Sequence, residues 1–331
     1  WFTTRADGTI AYAENPPKKY QDIYPFDFDN DPDGLYDAVL AVFHHWMGHG
    51  VRIFRVDNPH TKPLPFWERL LADVRRSDPD VVFLSEAFTK PAMLRALGMV
   101  GFHQSYTYFT WRNTKAELEE YLAELSHETS HIVRPNLFVN TPDILTSYLQ
   151  HGGPAAFRIR AAIAATAGPS WGMYAGFELY ERLAVRPGSE EYLDSEKYQV
   201  AVRDWDAAES DGRSLAPYVT RLNQIRRDHP ALRQLHRFTV HDSDHDAVLC
   251  YSRRLGDDIV IVVVNVDPHQ AHESTVHLTM PELGLGWGAS FEAHDEVTGR
   301  SWTWAEHNYV RLDPAVEPAH IITLRRPGAI S

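Results

Sequence analysis

From residue 33 to residue 235, short apolar runs alternate with stretches of helical period, and this alternation constrains the fold more than any other feature of the chain. Leu35, Val39, Leu40, Phe43 and Trp46 recur at helical spacing across 33–49. Further helices are read at 65–76, 91–97, 114–132, 145–167 (broken near Gly152-Gly153-Pro154) and 215–235. Between them, strand-like runs reach Asp57 and cover 81–86, 102–109, 136–143 and 171–175. Strand and helix in alternation imply parallel pairing, because a parallel return needs a crossover long enough to hold a helix. Residues 1–30 are turn-rich and read as an irregular lobe. From Phe238 the texture changes to short strands at 248–252, 258–266, 274–278 and 320–324, separated by turn clusters.

Three of the early runs deliver a carboxylate where the strand ends. In Val51-Arg52-Ile53-Phe54-Arg55-Val56-Asp57, Arg55 and Asp57 stand two residues apart, on one side of a strand. A carboxylate kept ionised by a neighbouring guanidinium is a poised nucleophile. Val81-Val82-Phe83-Leu84-Ser85-Glu86 ends in a second acid, and Asn136-Leu137-Phe138-Val139-Asn140-Thr141-Pro142-Asp143 in a third. Paired carboxylates at strand ends are the equipment of retaining glycosidic chemistry.

These segments, in this order, resemble the catalytic regions of the α-amylase superfamily, glycoside hydrolase family 13. The resemblance implies Asp57 as nucleophile with Arg55 beside it, Glu86 as acid/base, and Asp143 as a clamp on the sugar. Pro142 stands where most members carry histidine. The segments Asn15-Pro16-Pro17-Lys18-Lys19-Tyr20, Asp57-Asn58-Pro59-His60-Thr61-Lys62-Pro63 and Asn140-Thr141-Pro142-Asp143 narrow the likeness to the bacterial maltosyltransferases that use maltose 1-phosphate. That likeness covers the second half of such an enzyme. It implies a fold class of strands 4–8 of a (β/α)8 barrel followed by an antiparallel β-sandwich. The expected divisions are a remnant of the lobe inserted after barrel strand 3 (1–30), the partial catalytic barrel (31–236) and the β-sandwich (237–331). Its implied partners are maltose 1-phosphate, an α-1,4-glucan acceptor, the missing N-terminal half and a second copy in a homodimer. Asn15, Lys18 and Tyr20 are implied phosphate contacts, and Asn58, Lys197 and Tyr198 sugar contacts. Neither metal nor organic cofactor is implied, and the segment by itself is expected to be inactive. A hydrolase or isomerase of the same superfamily would use the same three acids, whereas a non-catalytic binding subunit would tend to lose them.

Composition narrows the partners. A formal charge of −13 argues against nucleic acid and anionic membrane surfaces. No stretch is apolar for long enough to span a bilayer. One cysteine, Cys250, excludes an internal disulfide and fits a reducing, cytoplasmic compartment. Nine tryptophans and fifteen tyrosines suit both sugar stacking and core packing.

Several motifs are decoys on chemical grounds. Asp29-x-Asp31-x-Asp33-Gly34 opens like a calcium loop, yet its twelfth position is Leu40 where a bidentate glutamate is required, and Asp33 is read as a helix cap. His45-x-x-x-His49 has zinc-protease spacing with Trp46 at the position of the general base. His241, Asp242, Asp244, His245 and Asp246 read as a solvated turn. Gly168-Pro169-Ser170-Trp171-Gly172 follows a helix and precedes a strand, the reverse of a nucleophile elbow.

Overall fold

The computed structural model describes residues 1–15, 18–196 and 200–325, without the side chains of residues 15, 18, 19 and 325. It divides into two compact units, Trp1–Ser105 and Tyr106–Ser331.

The first unit opens with an antiparallel hairpin of β1 (Ala13–Asn15) and β2 (Lys18–Tyr20), so the expected irregular lobe contains regular structure. Helix α1 (Pro32–Gly48) follows. Its cap is Asp31 rather than the expected Asp33: the Asp31 carboxylate accepts the Gly34 N–H at 3.1 Å. Pro32, with its fixed φ and missing N–H, suits the first helical position and sets the cap one residue before itself. Asp33 instead pairs with Arg69 at 2.9 Å. Then come β3 (Ile53–Asp57), α2 (Leu64–Ser77), β4 (Val82–Glu86), α3 (Pro91–Val100) and β5 (Gln104–Tyr106). Strand β4 pairs parallel with β3 along its whole length and with β5 at Leu84 and Ser85. Trp67, Leu70, Leu71 and Val74 form the buried stripe of α2 at i, i+3, i+4, i+7 spacing. They pack with Phe83 and Val81 of the sheet region and with Leu97 of α3. Gly101, at φ 116°, ends α3 in a conformation that glycine adopts without a Cβ penalty.

In the second unit the extended run predicted to reach Phe109 stops at Tyr106 and gives way to a 3-10 turn, Tyr108–Trp111. Local polar partners replace the ladder there: the Tyr108 N–H donates to the Tyr121 hydroxyl, and the hydroxyls of Thr107 and Thr110 donate to the carbonyls of Asn136 and Phe138. Helix α4 (Lys115–Ala123) starts with a capping box between Thr114 and Glu117 and continues into a π-turn at Glu124–Glu128, shorter than the predicted 114–132. Strand β6 (Pro135–Phe138), helices α5 (Ser147–His151) and α6 (Gly153–Ala167), strand β7 (Ser170–Gly172) and helices α7 (Trp205–Ser210) and α8 (Ala216–Asp228) complete the α/β part. Strands β6 and β7 are parallel. Helix α6 is buried nearly all round, which its alanine-rich, weakly patterned sequence anticipates.

The C-terminal strands are β8 (Phe238–Ser243), β9 (Val248–Leu255), β10 (Asp258–Asn265), β11 (His272–His277), β12 (Phe291–Asp295), β13 (Ser301–Trp304), β14 (His307–Leu312) and β15 (Ala319–Arg325). They form an antiparallel sheet in the order β13-β12-β15-β10-β9-β8-β11-β14. Both faces of its centre are buried. Leu249, Tyr251, Val260, Val262 and Val264 join the core around α6, while Val248, Cys250, Ile259, Ile261 and Val263 join a second core on the other side. That two-sided burial explains the unbroken apolar run of β10. Five parallel strands with helices between them, then an antiparallel β domain, give the fold class that the sequence implied: strands 4–8 of a (β/α)8 barrel with a following β domain. No helix among the described residues is long and apolar enough to cross a membrane.

Candidate active site

Strands β3 and β4 run parallel in a register that pairs Ile53 with Val82 and ends by pairing Asp57 with Glu86. Parallel neighbours in register present paired side chains to the same face, so two carboxyls meet at one end of the sheet. Arg55, two residues back, shares that face. Its Nη1 lies 3.1 Å from Asp57 Oδ1 and its Nη2 3.5 Å from Glu86 Oε1.

The two acids occupy unlike environments. The Asp57 side chain is 67% exposed and that of Glu86 only 11%. Burial is the main cause that pushes the Glu86 carboxyl up to about 7, and the adjacent Asp57 adds repulsion and a hydrogen bond to the protonated form. The Asn58 N–H, which donates to Glu86 Oε2 at 3.1 Å, and the Arg55 charge oppose this rise. Near neutral pH the pair therefore offers one carboxyl able to hold a proton beside one open to a reacting partner.

The chain turns sharply after Asp57. Asn58 takes the left-handed conformation (φ 44°, ψ 53°) and leads into a 3-10 turn, Pro59–Thr61, anchored by the Trp67 indole N–H on the Pro59 carbonyl at 2.9 Å. Asn58 Nδ2 lies 3.5 Å from Asp57 Oδ1. Lys62 lies in the same turn, and its sequence context does not mark it as a functional residue. Its Nζ donates to the carbonyls of both Asp57 and Asn58 at 3.1 Å.

Asp143 belongs to the second unit. The third run was expected to carry it at a strand end, but β6 stops at Phe138. Asp143 sits at the tip of a tight turn closed by an antiparallel bridge between Thr141 and Ile144, with its N–H on the Thr141 hydroxyl at 3.2 Å. A side-chain clamp replaces the strand. Asn140, wholly buried, accepts the Tyr174 N–H at 2.8 Å and donates to the Tyr192 hydroxyl at 2.6 Å.

Arg55, Asp57, Asn58 and Glu86 are thus gathered in the first unit. Asn15 and Lys18 are register partners in the β1–β2 hairpin of that unit, and Tyr20 pairs with Ala13. Lys197 and Tyr198 lie outside the described residues. Among the motifs set aside, His49 Nδ1 lies 2.8 Å from the His45 carbonyl at the end of α1. His241 is not in a solvated turn: it is fully buried on β8, where it meets Ser252 Oγ at 2.9 Å and accepts the Thr279 N–H. Burial pushes its imidazole down to about 4. Asp244 of the same motif pairs with His277 at 2.8 Å. Among the described residues, no group of three or more His, Cys, Asp or Glu side chains is arranged to hold a metal ion.

Known proteins match both the sequence and the architecture. A family model described as "GLGE, C-terminal" matches residues 240–324. The α-1,4-glucan:maltose-1-phosphate maltosyltransferase 2 of Streptomyces coelicolor is 60% identical over 329 residues, which is 99% of this chain and 49% of that protein. Over nearly its whole length the chain is homologous to one half of such maltosyltransferases. The corresponding enzyme of Mycobacterium tuberculosis is 57% identical over 98% of the chain and 46% of its own length. The chain spans about half the length of the relatives it matches. Among solved structures, an Anoxybacillus α-amylase superposes with a TM-score of 0.71 at 16% identity, over 93% of this chain and 66% of that one. A maltogenic α-amylase of Thermotoga neapolitana gives 0.70 at 15% identity, over 98% and 72%. At such identities the two amylases speak to the fold alone.

Proposed function

We propose that this chain supplies the catalytic carboxyls of a retaining maltosyltransferase that moves maltosyl units from α-maltose 1-phosphate to the 4-hydroxyl of an α-1,4-glucan. The observation that carries the reading is the register pairing of Asp57 with Glu86 in unlike environments. Adjacent strands stand about 4.8 Å apart. That spacing suits a retaining pair, whereas an inverting pair needs roughly 6.5–9.5 Å for a water molecule.

In this mechanism Asp57 attacks the anomeric carbon as the bond to phosphate breaks. Glu86 gives its proton to the departing phosphate oxygen, leaving a β-maltosyl ester on Asp57. Glu86, now a carboxylate, takes the proton of the acceptor 4-hydroxyl, and that oxygen displaces Asp57. Two inversions restore the α-configuration. Arg55 holds both carboxyls in register, Asp143 holds sugar hydroxyls, and Asn58, Lys197 and Tyr198 contact the donor. Asn15, Lys18 and Tyr20 hold the phosphate, and the activity draws on an N-terminal half such as the longer relatives possess. The lone cysteine, buried and unpaired on β9, accords with a cytoplasmic setting.

The test is to incubate the 331-residue protein, together with the N-terminal half of the S. coelicolor relative, with maltose 1-phosphate and maltohexaose. One phosphate released for each maltosyl unit added, with the α-configuration kept, is the expected result. Free maltose from maltohexaose, with maltose 1-phosphate untouched, would overturn the reading in favour of a hydrolase.

A further inference from the structure

The turn after Asp57 is tied down by Lys62, which takes no part in the proposed chemical steps. Asn58 is one of three non-glycine residues with positive φ among those described. Asparagine tolerates this conformation better than most residues that carry a side chain, and the turn around it is also held by its neighbours. Here the holding groups are visible. Lys62 Nζ donates to the carbonyls of Asp57 and Asn58 at 3.1 Å each, and Thr61 Oγ1 donates to the same Asn58 carbonyl at 2.8 Å. The turn they lock directs the Asn58 N–H onto Glu86 Oε2 at 3.1 Å.

We infer that Lys62 is a positioning residue for the acid/base carboxyl: by tying down the Asn58 turn it fixes the N–H that the Glu86 carboxylate accepts, and thereby sets the pH at which Glu86 releases its proton. The inference rests on the reading of Glu86 as acid/base. Lys62 is half-buried, and burial holds its ammonium below the usual lysine range while the charges of Asp57 and Glu86 act the other way. Among the described residues, the charged groups facing Glu86 are Arg55 and Asp57 on β3 and Lys62 in the turn after it, with His60 beside Lys62 and Asp57. Strand β5, on the other side of β4, pairs through Gln104 and Ser105, which carry no ionisable group, and ends at Tyr106, a phenol. Turn and charge act in the same direction: an N–H donor and a nearby ammonium both favour the carboxylate. Losing them raises the Glu86 midpoint.

The experiment is a titration of the glutamate side-chain carboxyls in the 13C-labelled 331-residue protein, with the Glu86 signal identified by its loss in Glu86→Gln. The unaltered protein is expected to show a midpoint near 7. Lys62→Met should move it up by about one pH unit. Thr61→Val leaves the ammonium in place and removes one donor to Asn58, so a smaller rise is expected. Lys62→Arg keeps charge and donors and should stay near the original value. An unchanged midpoint in a folded Lys62→Met protein would overturn the inference. Should that variant not fold, an unchanged midpoint in Thr61→Val would do the same. A lysine that only contacted substrate would leave the substrate-free titration where it is. Because no substrate is used, the result does not depend on Glu86 being catalytic. That separate question is settled by the turnover of Glu86→Gln.

Discussion

Asp57 and Glu86 are register partners on adjacent parallel strands, one open to solvent and the other buried, with a single guanidinium spanning both. This relationship allows the two acids to be told apart by experiment. A nucleophile must be open to the anomeric carbon, and that describes Asp57. A maltosyl donor with 2-deoxy-2-fluoro substitution slows both steps, and a good leaving group restores the first, so the ester should accumulate. Peptide mapping is expected to find the label on Asp57. Labelling of another carboxylate would refute the assignment.

Glu86 should show itself through pH. Its carboxyl, ordinarily near 4.5, is pushed up to about 7 chiefly by burial. As acid in the first step it must be protonated, so kcat/KM should fall as pH rises through about 7. Glu86→Gln should abolish that basic limb and cut turnover by roughly 10²–10⁴-fold. Stability follows the same sign. Between about 4.5 and 7 the folded state binds more protons at this site than the unfolded chain, so its contribution is present at low pH and is lost as pH rises through 7. Glu317 is also pushed up to about 7 by burial and adds a parallel effect. The difference between the denaturation curves of the unaltered protein and Glu86→Gln, followed from pH 4 to pH 8, isolates Glu86. A flat difference would show that Glu86 is not raised.

Asn140 offers a prediction about the scaffold. Its amide closes two bonds, to the Tyr174 N–H and the Tyr192 hydroxyl, and the residue is wholly buried. Asn140→Ala should leave the buried Tyr192 hydroxyl and the part-buried Tyr174 N–H without these partners, at a cost of about 1–3 kcal/mol for each group that water does not reach. Urea denaturation is the measurement. A midpoint equal to that of the unaltered protein would mean that the clamp does not hold the turn carrying Asp143.

The sequence made the placement of the candidate residues legible where an apolar pattern runs up to them. Strands β3 and β4 alternate or run apolar up to an acid, so Arg55, Asp57 and Glu86 could be located to the residue. It misplaced Asp143 because Val139 is apolar and extends the visual run past Phe138, while the real determinant is a side-chain clamp by Asn140 on residues more than 30 positions away. Such a clamp leaves no local pattern. Strands β12, β13 and β14 escaped for a related reason: they carry polar residues such as Glu292, Thr303 and Arg311 on an open face, and their apolar residues are spaced too sparsely to stand out. Lys62 was invisible because its role depends on the left-handed turn at Asn58, which only the backbone reveals.

The last prediction concerns the donor. In a strongly acidic chain, the segment Asn15-Pro16-Pro17-Lys18-Lys19-Tyr20 gathers positive charge and hydrogen-bond donors, and the hairpin sets Asn15 opposite Lys18. If Lys18 binds the phosphate of maltose 1-phosphate, Lys18→Ala removes a charge-assisted contact worth about 1.5–3 kcal/mol, a loss of roughly 10- to 150-fold in kcat/KM. Maltosyl fluoride has a small leaving group with no phosphate to hold, so its kcat/KM should fall far less. The comparison controls for misfolding, which would harm both donors alike. A loss confined to the phosphate donor supports a phosphate site at the hairpin. Equal losses, or none with the phosphate donor, would reduce Lys18 to a surface lysine. The leaving-group specificity of the proposed transferase would then have to reside elsewhere in the enzyme.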